Sequence, residues 1–327
     1  MVRRRAFILG AGATVAAAGV GAAVGVSSRS SAVMPPGAVS FDRFRRICTA
    51  CGLCQASCPE KVLVPSGLVG YGLAGFMMPR LDFSRGTCDP ACSRCAEACP
   101  AQAFVRYWPK ERARIRIGVA EWNRELCKTT KGEACTLCRE RCPAGAVELV
   151  SDPEGTVAHP RVDGRRCIGC GACENYCPSA GKAIRVRPLA TQEFAFGEDT
   201  LVAYFADGTE WTSRARGVKP LLDVIDGGRE RFAGARCYDR VVGRAAAFLY
   251  AAIGPAEVFA PVMSAGAVKI LAVHGIRPRF VSEVAEIRNR KPDGPCPMDT
   301  AVRELGDGEV DGALAAIRAT YLRLTGK

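Results

Sequence analysis

Apolar positions along the 327-residue chain fall into three regimes, and each predicts a different kind of structure. From Phe7 to Val26 a weakly apolar run of Ala, Gly and Val is long enough to span a bilayer, although its alanines and glycines make it a poor permanent anchor. From about residue 41 to 190 no periodicity persists for more than a few residues. The pattern there predicts loops with short elements, including short helices at 143–150 and 178–183 and a hairpin strand at 184–186. Within it, residues 62–78 are densely apolar but broken by Pro65 and several glycines. A spanning helix is therefore not expected; the stretch is read as packing over its own domain, with a docking surface for a membrane partner as the alternative. Past Pro188 the pattern becomes regular. Strands are predicted at 201–206, near Trp211 after a turn at Asp207 and Gly208, at 257–262 and at 279–281. Helices are predicted at 219–225, 241–253, 264–274 with Ser264 as the cap, and 312–324. Strands alternating with helices argue for a three-layer α/β domain.

What fills the middle regime is cysteine. Sixteen of the 18 cysteines form four groups: Cys48, Cys51, Cys54, Cys58; Cys88, Cys92, Cys95, Cys99; Cys127, Cys135, Cys138, Cys142; and Cys167, Cys170, Cys173, Cys177. Each ends in CxxCxxxCP, with Pro59, Pro100, Pro143 and Pro178. Three closely spaced thiolates wrap one face of an iron–sulfur cube, and a more distant cysteine followed by proline supplies the fourth ligand to the other cube of a pair. Sixteen ligands at four per cube predict four [4Fe-4S] clusters, which substitute for an apolar core, so that loss of iron unfolds the domain. Zinc ribbons do not add the third cysteine and the CP signature at every site, so no zinc is expected. The CxxC loops are too short for a disulfide framework to staple much chain.

These motifs resemble the bacterial dicluster ferredoxins, two units of which occupy about residues 41–188. The segment IGVAEWNRELC at 117–127 and the following CTLCRERCPAGAVEL are similar to the exported ferredoxin-type proteins of the periplasmic nitrate reductase and methylamine utilisation systems. Motifs two and three are expanded, with three residues between Cys88 and Cys92 and seven between Cys127 and Cys135, whereas motifs one and four are regular. That symmetry, and the build of related polyferredoxins, imply nested units. Cys177 then completes Cys48, Cys51 and Cys54; Cys58 completes Cys167, Cys170 and Cys173; Cys142 completes Cys88, Cys92 and Cys95; and Cys99 completes Cys127, Cys135 and Cys138. Sequential pairing is the alternative.

Charge and the N-terminus add an address. Arg4 and Arg5 before Phe7, Ile8 and Leu9 have the form of a twin-arginine export signal over residues 1–32, with no clean cleavage site. Folded, cofactor-loaded export reconciles many reduced thiols with an oxidising destination, the periplasm or the outer face of the cytoplasmic membrane. Gly10 and Gly12 do not make a dinucleotide fingerprint, because Val15 and a Ser/Arg stretch stand where a further glycine and an acidic residue are needed. The net charge of +12, three of it from Arg3, Arg4 and Arg5, suits an acidic redox partner or an anionic membrane surface, or simply offsets anionic clusters. Scattered arginines without aromatic platforms exclude a nucleic-acid module. Trp108 and Trp122, which flank KERARIR, are read as core.

The C-terminal domain, residues 196–327, resembles the DUF1893 family over GVKPLLDVI, CYDRVVGRAAAFLY and DGPCPMDTAV. The resemblance implies a fold similar to cytidine deaminases, making the whole chain α+β: a loop-rich ferredoxin part at 41–190 and an α/β domain after it. Zinc deamination needs HxE or CxE and then PCxxC. Here the helix reads DRVVGRAAA and Pro295-Cys296-Pro297-Met298 lacks the second thiol, so that chemistry is not expected. Cys237, Asp239, Gly243, Arg244 and Cys296 are the candidate remnant of a pocket for an anionic ligand; as a pair, Cys237 and Cys296 are more simply buried small hydrophobes. His274 is read as a helix C-cap, and Glu283 and Glu286 as a solvated face.

The leading function is a carrier of single electrons between a membrane quinol-oxidising protein and a terminal reductase, with no catalytic side chain. The competing one is a redox enzyme or sensor in which the C-terminal domain binds a small ligand coupled to the clusters.

Overall fold

The computed structural model describes residues 32–151, 157–289 and 294–326; the expected export signal with Arg4 and Arg5 lies outside them. Among the described residues no helix is long and apolar enough to cross a membrane.

Two pairs of motifs make two compact units. Helix α1 (Phe41–Ile47) starts at Ser40, whose side chain accepts the Arg43 amide, and buries Phe44 against Phe104. The first unit closes through the antiparallel pair β1 (Leu63–Pro65) and β2 (Pro79–Leu81). Strand β3 (Ile115–Trp122) leads out of it, and the second unit closes through the hairpin β4 (Val147–Ser151) and β5 (Ala158–Val162). A long strand, β6 (Ile184–Phe194), returns along β3 and runs on towards the C-terminal domain. Its Gln192 side chain bonds the buried entry segment at Gly37 N, Val39 N and Pro35 O.

One-turn helices form inside the motifs, at Leu53–Ala56, Arg94–Glu97, Leu137–Glu140 and Ala172–Asn175. They do not form after the CP prolines, where helices at 143–150 and 178–183 were expected; residues 147–151 are β4 and 178–183 are turns. The reason is local. Lys61, Gln102 and Gly145, each three residues past a CP cysteine, take positive φ and reverse the chain before a helix can propagate. The reversal also turns the next amide back onto sulfur, as in Ala103 N to Cys99 Sγ at 3.3 Å and Ala146 N to Cys142 Sγ at 3.2 Å.

The C-terminal domain is built on one mixed sheet. β7 (Leu201–Tyr204) pairs antiparallel with β8 (Glu210–Ser213) and with β9 (Arg236–Asp239). β9 and the short β10 (Val241–Val242) both run parallel to β11 (Glu257–Ser264), and β12 (Arg277–Val284) closes the far edge parallel to β11. The helices α2 (Lys219–Gly228), α3 (Arg244–Ile253), α4 (Ala265–Val273) and α6 (Val310–Thr325) follow the sequence pattern closely, whereas the strand β9 and the short helix α5 (Pro297–Ala301) were not expected; Val241 and Val242 join a strand before α3 starts. Ser264 caps α4 through the Ala267 amide and His274 ends it, as expected.

The three-layer arrangement does not occur. Leu201, Ala203, Cys237, Val258 and Ala260 face a single core shared with α2, α3, α4 and α6, all on one side of the sheet. The alternate positions Val202, Tyr204, Tyr238 and Phe259 pack against Phe194, Phe196 and Trp108 instead. Consecutive parallel strands β9, β11 and β12 with right-handed crossovers put α3 and α4 on the same face. The ferredoxin part supplies the missing layer.

Candidate metal centres

Each quartet of thiols is assembled from a tight loop and one cysteine of the neighbouring motif. In motifs one and four the loop is shaped by left-handed residues at matching places, Ala50 and Gly52, then Gly169 and Gly171. At Gly169 a Cβ would meet the Gly118 backbone of β3 at 2.5 Å, so this close approach demands glycine.

The nested assignment is overturned. Cys58 lines one small void with Cys88, Cys92 and Cys95; Cys177 lines a second with Cys127, Cys135 and Cys138; and Cys142 lines a third with Cys167, Cys170 and Cys173. Cys99 stands by Cys48, Cys51 and Cys54, where burial first and the neighbouring thiols next push Cys54 up to about 12. Motif one therefore exchanges ligands with motif two, and motif three with motif four. The cause is packing: Leu53–Ala56 lies on Arg94–Glu97 and Leu137–Glu140 on Ala172–Asn175, so each unit closes over a short hairpin connection instead of one spanning the whole region.

The donor set fits thiolate-bound cubes. All eighteen cysteines are free, and backbone amides point at sulfur from Ala50 to Cys48 at 3.4 Å and from Ala120 to Cys167 at 3.4 Å. Burial pushes the Cys95 thiol up to about 12 and those of Cys138 and Cys170 up to about 11, so bare thiolates crowded here need a cationic core to discharge them. Among the described residues no three His, Cys, Asp or Glu side chains converge on a single ion. The thiols of a quartet surround a space rather than a point.

The quartets also stand in a definite order. Cys54 of the first lies near Cys95 of the second. The amide of Cys88, in the second, donates to the carbonyl of Cys170 in the motif-four quartet at 2.8 Å. Cys173 of that quartet lies near Cys138 of the motif-three quartet. Between the two middle quartets sits Arg112, 0% exposed, whose Nη2 donates to Cys88 Sγ at 3.4 Å and whose Nη1 donates to Ile115 O at 2.8 Å. Its guanidinium also feels the charge of Cys170. Nothing in the sequence marks Arg112, one of several cations in a basic stretch, as the buried one. At the motif-three end, Thr129 Oγ1 contacts both Cys127 Sγ at 3.1 Å and His159 Nδ1 at 2.9 Å, and the His159 ring stacks on Trp122.

At the motif-one end the C-terminal domain docks through buried charge. Arg236 on β9 reaches Glu111 at 3.2 Å and Glu257 at 3.0 Å, and Arg279 reaches Glu257 at 2.9 Å. Arg236 also donates to Arg106 O at 2.7 Å and lies over the Trp108 ring, so Trp108 is an interface residue. Burial pushes Glu111 up to about 7 against the pull of Arg236. A cleft of about 630 Å³ opens beside this contact, between the Gln102–Tyr107 segment and β12.

The expected remnant pocket does not form a site. Cys237 is buried in β9 and Cys296 caps α5. The N-terminus of α3 at Gly243 is filled by the carboxylate of Asp299, which accepts from Ala245 N at 3.0 Å. Asp239 is bonded to Tyr250 and Arg244 to Asp307, and none of the five residues lines the cleft. Residues 62–78 divide between inside and outside. Tyr71 and Met78 are buried, whereas Val69 is 91% and Leu73 84% exposed, with Leu68, Phe76 and Met77 also exposed.

The 4Fe-4S dicluster domain family matches residues 132–183, and the domain of unknown function DUF1893 matches residues 189–317. The chain is 30% identical over 166 residues to the methylamine utilization ferredoxin-type protein MauM of Methylophilus methylotrophus, covering 49% of this chain and 72% of that one. It is 31% identical over 196 residues to the ferredoxin-type protein NapG of Escherichia coli, covering 55% of this chain and 83% of that one. A solved DUF1893 family protein from Thermotoga maritima is similar over 38% of this chain and 80% of that one, at 22% identity and a TM-score of 0.33.

Proposed function

The chain belongs to the ferredoxin-type protein family of MauM and NapG, and from that premise we propose that it carries four [4Fe-4S] clusters and relays single electrons between a membrane-associated, quinol-linked donor and a terminal reductase. That it is an iron–sulfur electron-transfer protein follows from the family and the dicluster match.

The observation that carries the fuller reading is the order of the thiol quartets, motif one to two to four to three, with each near the next. Each cube supplies reversible one-electron exchange. The chain's part is to hold the thiolates, aim amides and Arg112 at them, and exclude water, which sets the energy of the added electron. No side chain is needed as acid or base.

Export by the twin-arginine route to the outer face of the membrane, anchored or released, is part of the proposal. What supports it is Arg4 and Arg5 ahead of the weakly apolar run from Phe7 to Val26. The C-terminal domain is proposed to keep a deaminase-like fold without zinc hydrolysis, since the ligand motif is incomplete.

The test is iron and sulfide analysis of anaerobically purified protein with an EPR-monitored redox titration. About sixteen irons per chain, four to each cube, are expected; about twelve would remove one centre.

A further inference from the structure

Electron relay by itself does not use the cleft between the two domains. Its volume, about 630 Å³, lies in the range of small-molecule sites, roughly 300–1,000 Å³, which favour domain interfaces. One wall is aromatic: Phe194 stacks on Tyr238 at 4.1 Å between ring centroids, and Phe259 packs against both. The rim is cationic. Arg43 and Arg279 repel each other, and Arg43 gives its hydrogen bonds to the carbonyls of Ala103 and Gln102. Arg277 forms no ion pair among the described residues. The two carboxylates of the lining are already engaged, Glu193 by Arg116 and Glu257 by Arg236 and Arg279. Arg279 is answered by Glu257, but Arg43 and Arg277 have no counter-charge among the described residues, and two such guanidiniums beside an aromatic wall call for an anion with a flat apolar body.

We propose that this cleft binds a planar aromatic molecule carrying a phosphate or carboxylate, its ring against Phe194 and Phe259 and its anionic group among Arg43, Arg277 and Arg279. The Gln102–Ala103 backbone forms part of the same wall, and the Ala103 amide is bonded to Cys99 Sγ at 3.3 Å. The ligand therefore sits at the motif-one end of the quartet series. Its role in electron flow rests on the four-cluster reading, whereas its binding does not. This gives the C-terminal domain a ligand on the face opposite its helices, away from the Cys237 and Gly243 region.

Equilibrium dialysis of the anaerobically purified full chain tests it, with flavin mononucleotide and 2-naphthoate as the phosphate and carboxylate probes, and riboflavin and inorganic phosphate as controls. Saturable binding of at least one probe is expected with a dissociation constant below about 1 mM. The corresponding control should bind at least tenfold more weakly. Arg277→Ala, at an exposed position outside the interface network, should weaken the probe about tenfold, and Arg43→Gln likewise. The proposal is overturned if neither probe saturates on iron-replete protein, if both variants bind as the parent does, or if inorganic phosphate binds as well as the probes. Iron counted on the same sample separates the two readings: saturable binding with iron short of sixteen would refute the cluster count and keep the cleft.

Discussion

Replacing Arg112 by methionine removes a positive charge enclosed between the second quartet and the motif-four quartet. Adding an electron to a neighbouring cube is favoured by that charge. With Nη2 3.4 Å from Cys88 Sγ, the guanidinium lies roughly 6 Å from the centre of a cube held there, where a unit charge contributes about 3 kcal/mol at an effective dielectric of about 20. A one-electron couple moves about 59 mV per tenfold change in equilibrium, so the variant should lower the potential of this centre by roughly 100 mV. Cys170 feels the same charge, so the motif-four centre should fall too, while those at Cys48 and Cys127 stay near their parent values. An EPR-monitored titration resolves this, with Arg112→Lys as the control that keeps the charge and recovers most of the shift. A shift below about 30 mV, or an equal one at all four centres, would refute the placement of Arg112 as a local electrostatic device.

Cys58→Ser should cost the motif-two cube and leave the motif-four EPR signal intact, and Cys142→Ser the reverse; the opposite outcome would restore nesting. Arg236→Met strands the carboxyl of Glu111 at the domain contact and leaves Glu257 with Arg279 alone, a loss of about 3 kcal/mol. For a domain of about 130 residues that is on the order of 10 °C in melting temperature. Circular dichroism melts should show it, with partial recovery in Glu111→Gln/Arg236→Met. Glu111 is raised from 4.5 to about 7 by burial, so the folded protein holds its proton where the unfolded chain has released it. Its contribution to stability is complete below about pH 4.5 and is lost as pH rises through about 7. Melting temperatures between pH 6 and 8 should therefore fall with pH, and Glu111→Gln should flatten that slope; an unchanged slope would exclude Glu111 as the titrating group. Replacing Leu68, Val69 and Leu73 by serine should reduce sedimentation with lipid vesicles severalfold without altering iron content, and equal sedimentation would assign the exposed loop to a protein partner instead.

The motifs themselves were legible because a thiolate loop is local chemistry: CxxCxxxCP states its donors within a dozen residues, and the strands and helices after Pro188 carry their own periodicity. Most of their ends shifted by a few residues, β9 and α5 carried no such signal, and at Val241 and Val242 a neighbour intervened, β11 recruiting them into the sheet. Which motif completes which was not local. Motif spacing was compatible with nested or sequential exchange, and the packing of one-turn helices across each short hairpin decided it. Tertiary structure also chose Arg112 from a stretch of similar cations, because burial depends on what closes over a side chain and not on its own pattern. The same holds for the sheet's second face. Its alternation announced two buried sides, but only the docked ferredoxin part, in place of a third layer of helices, made one of them the wall of a cleft beside Cys99.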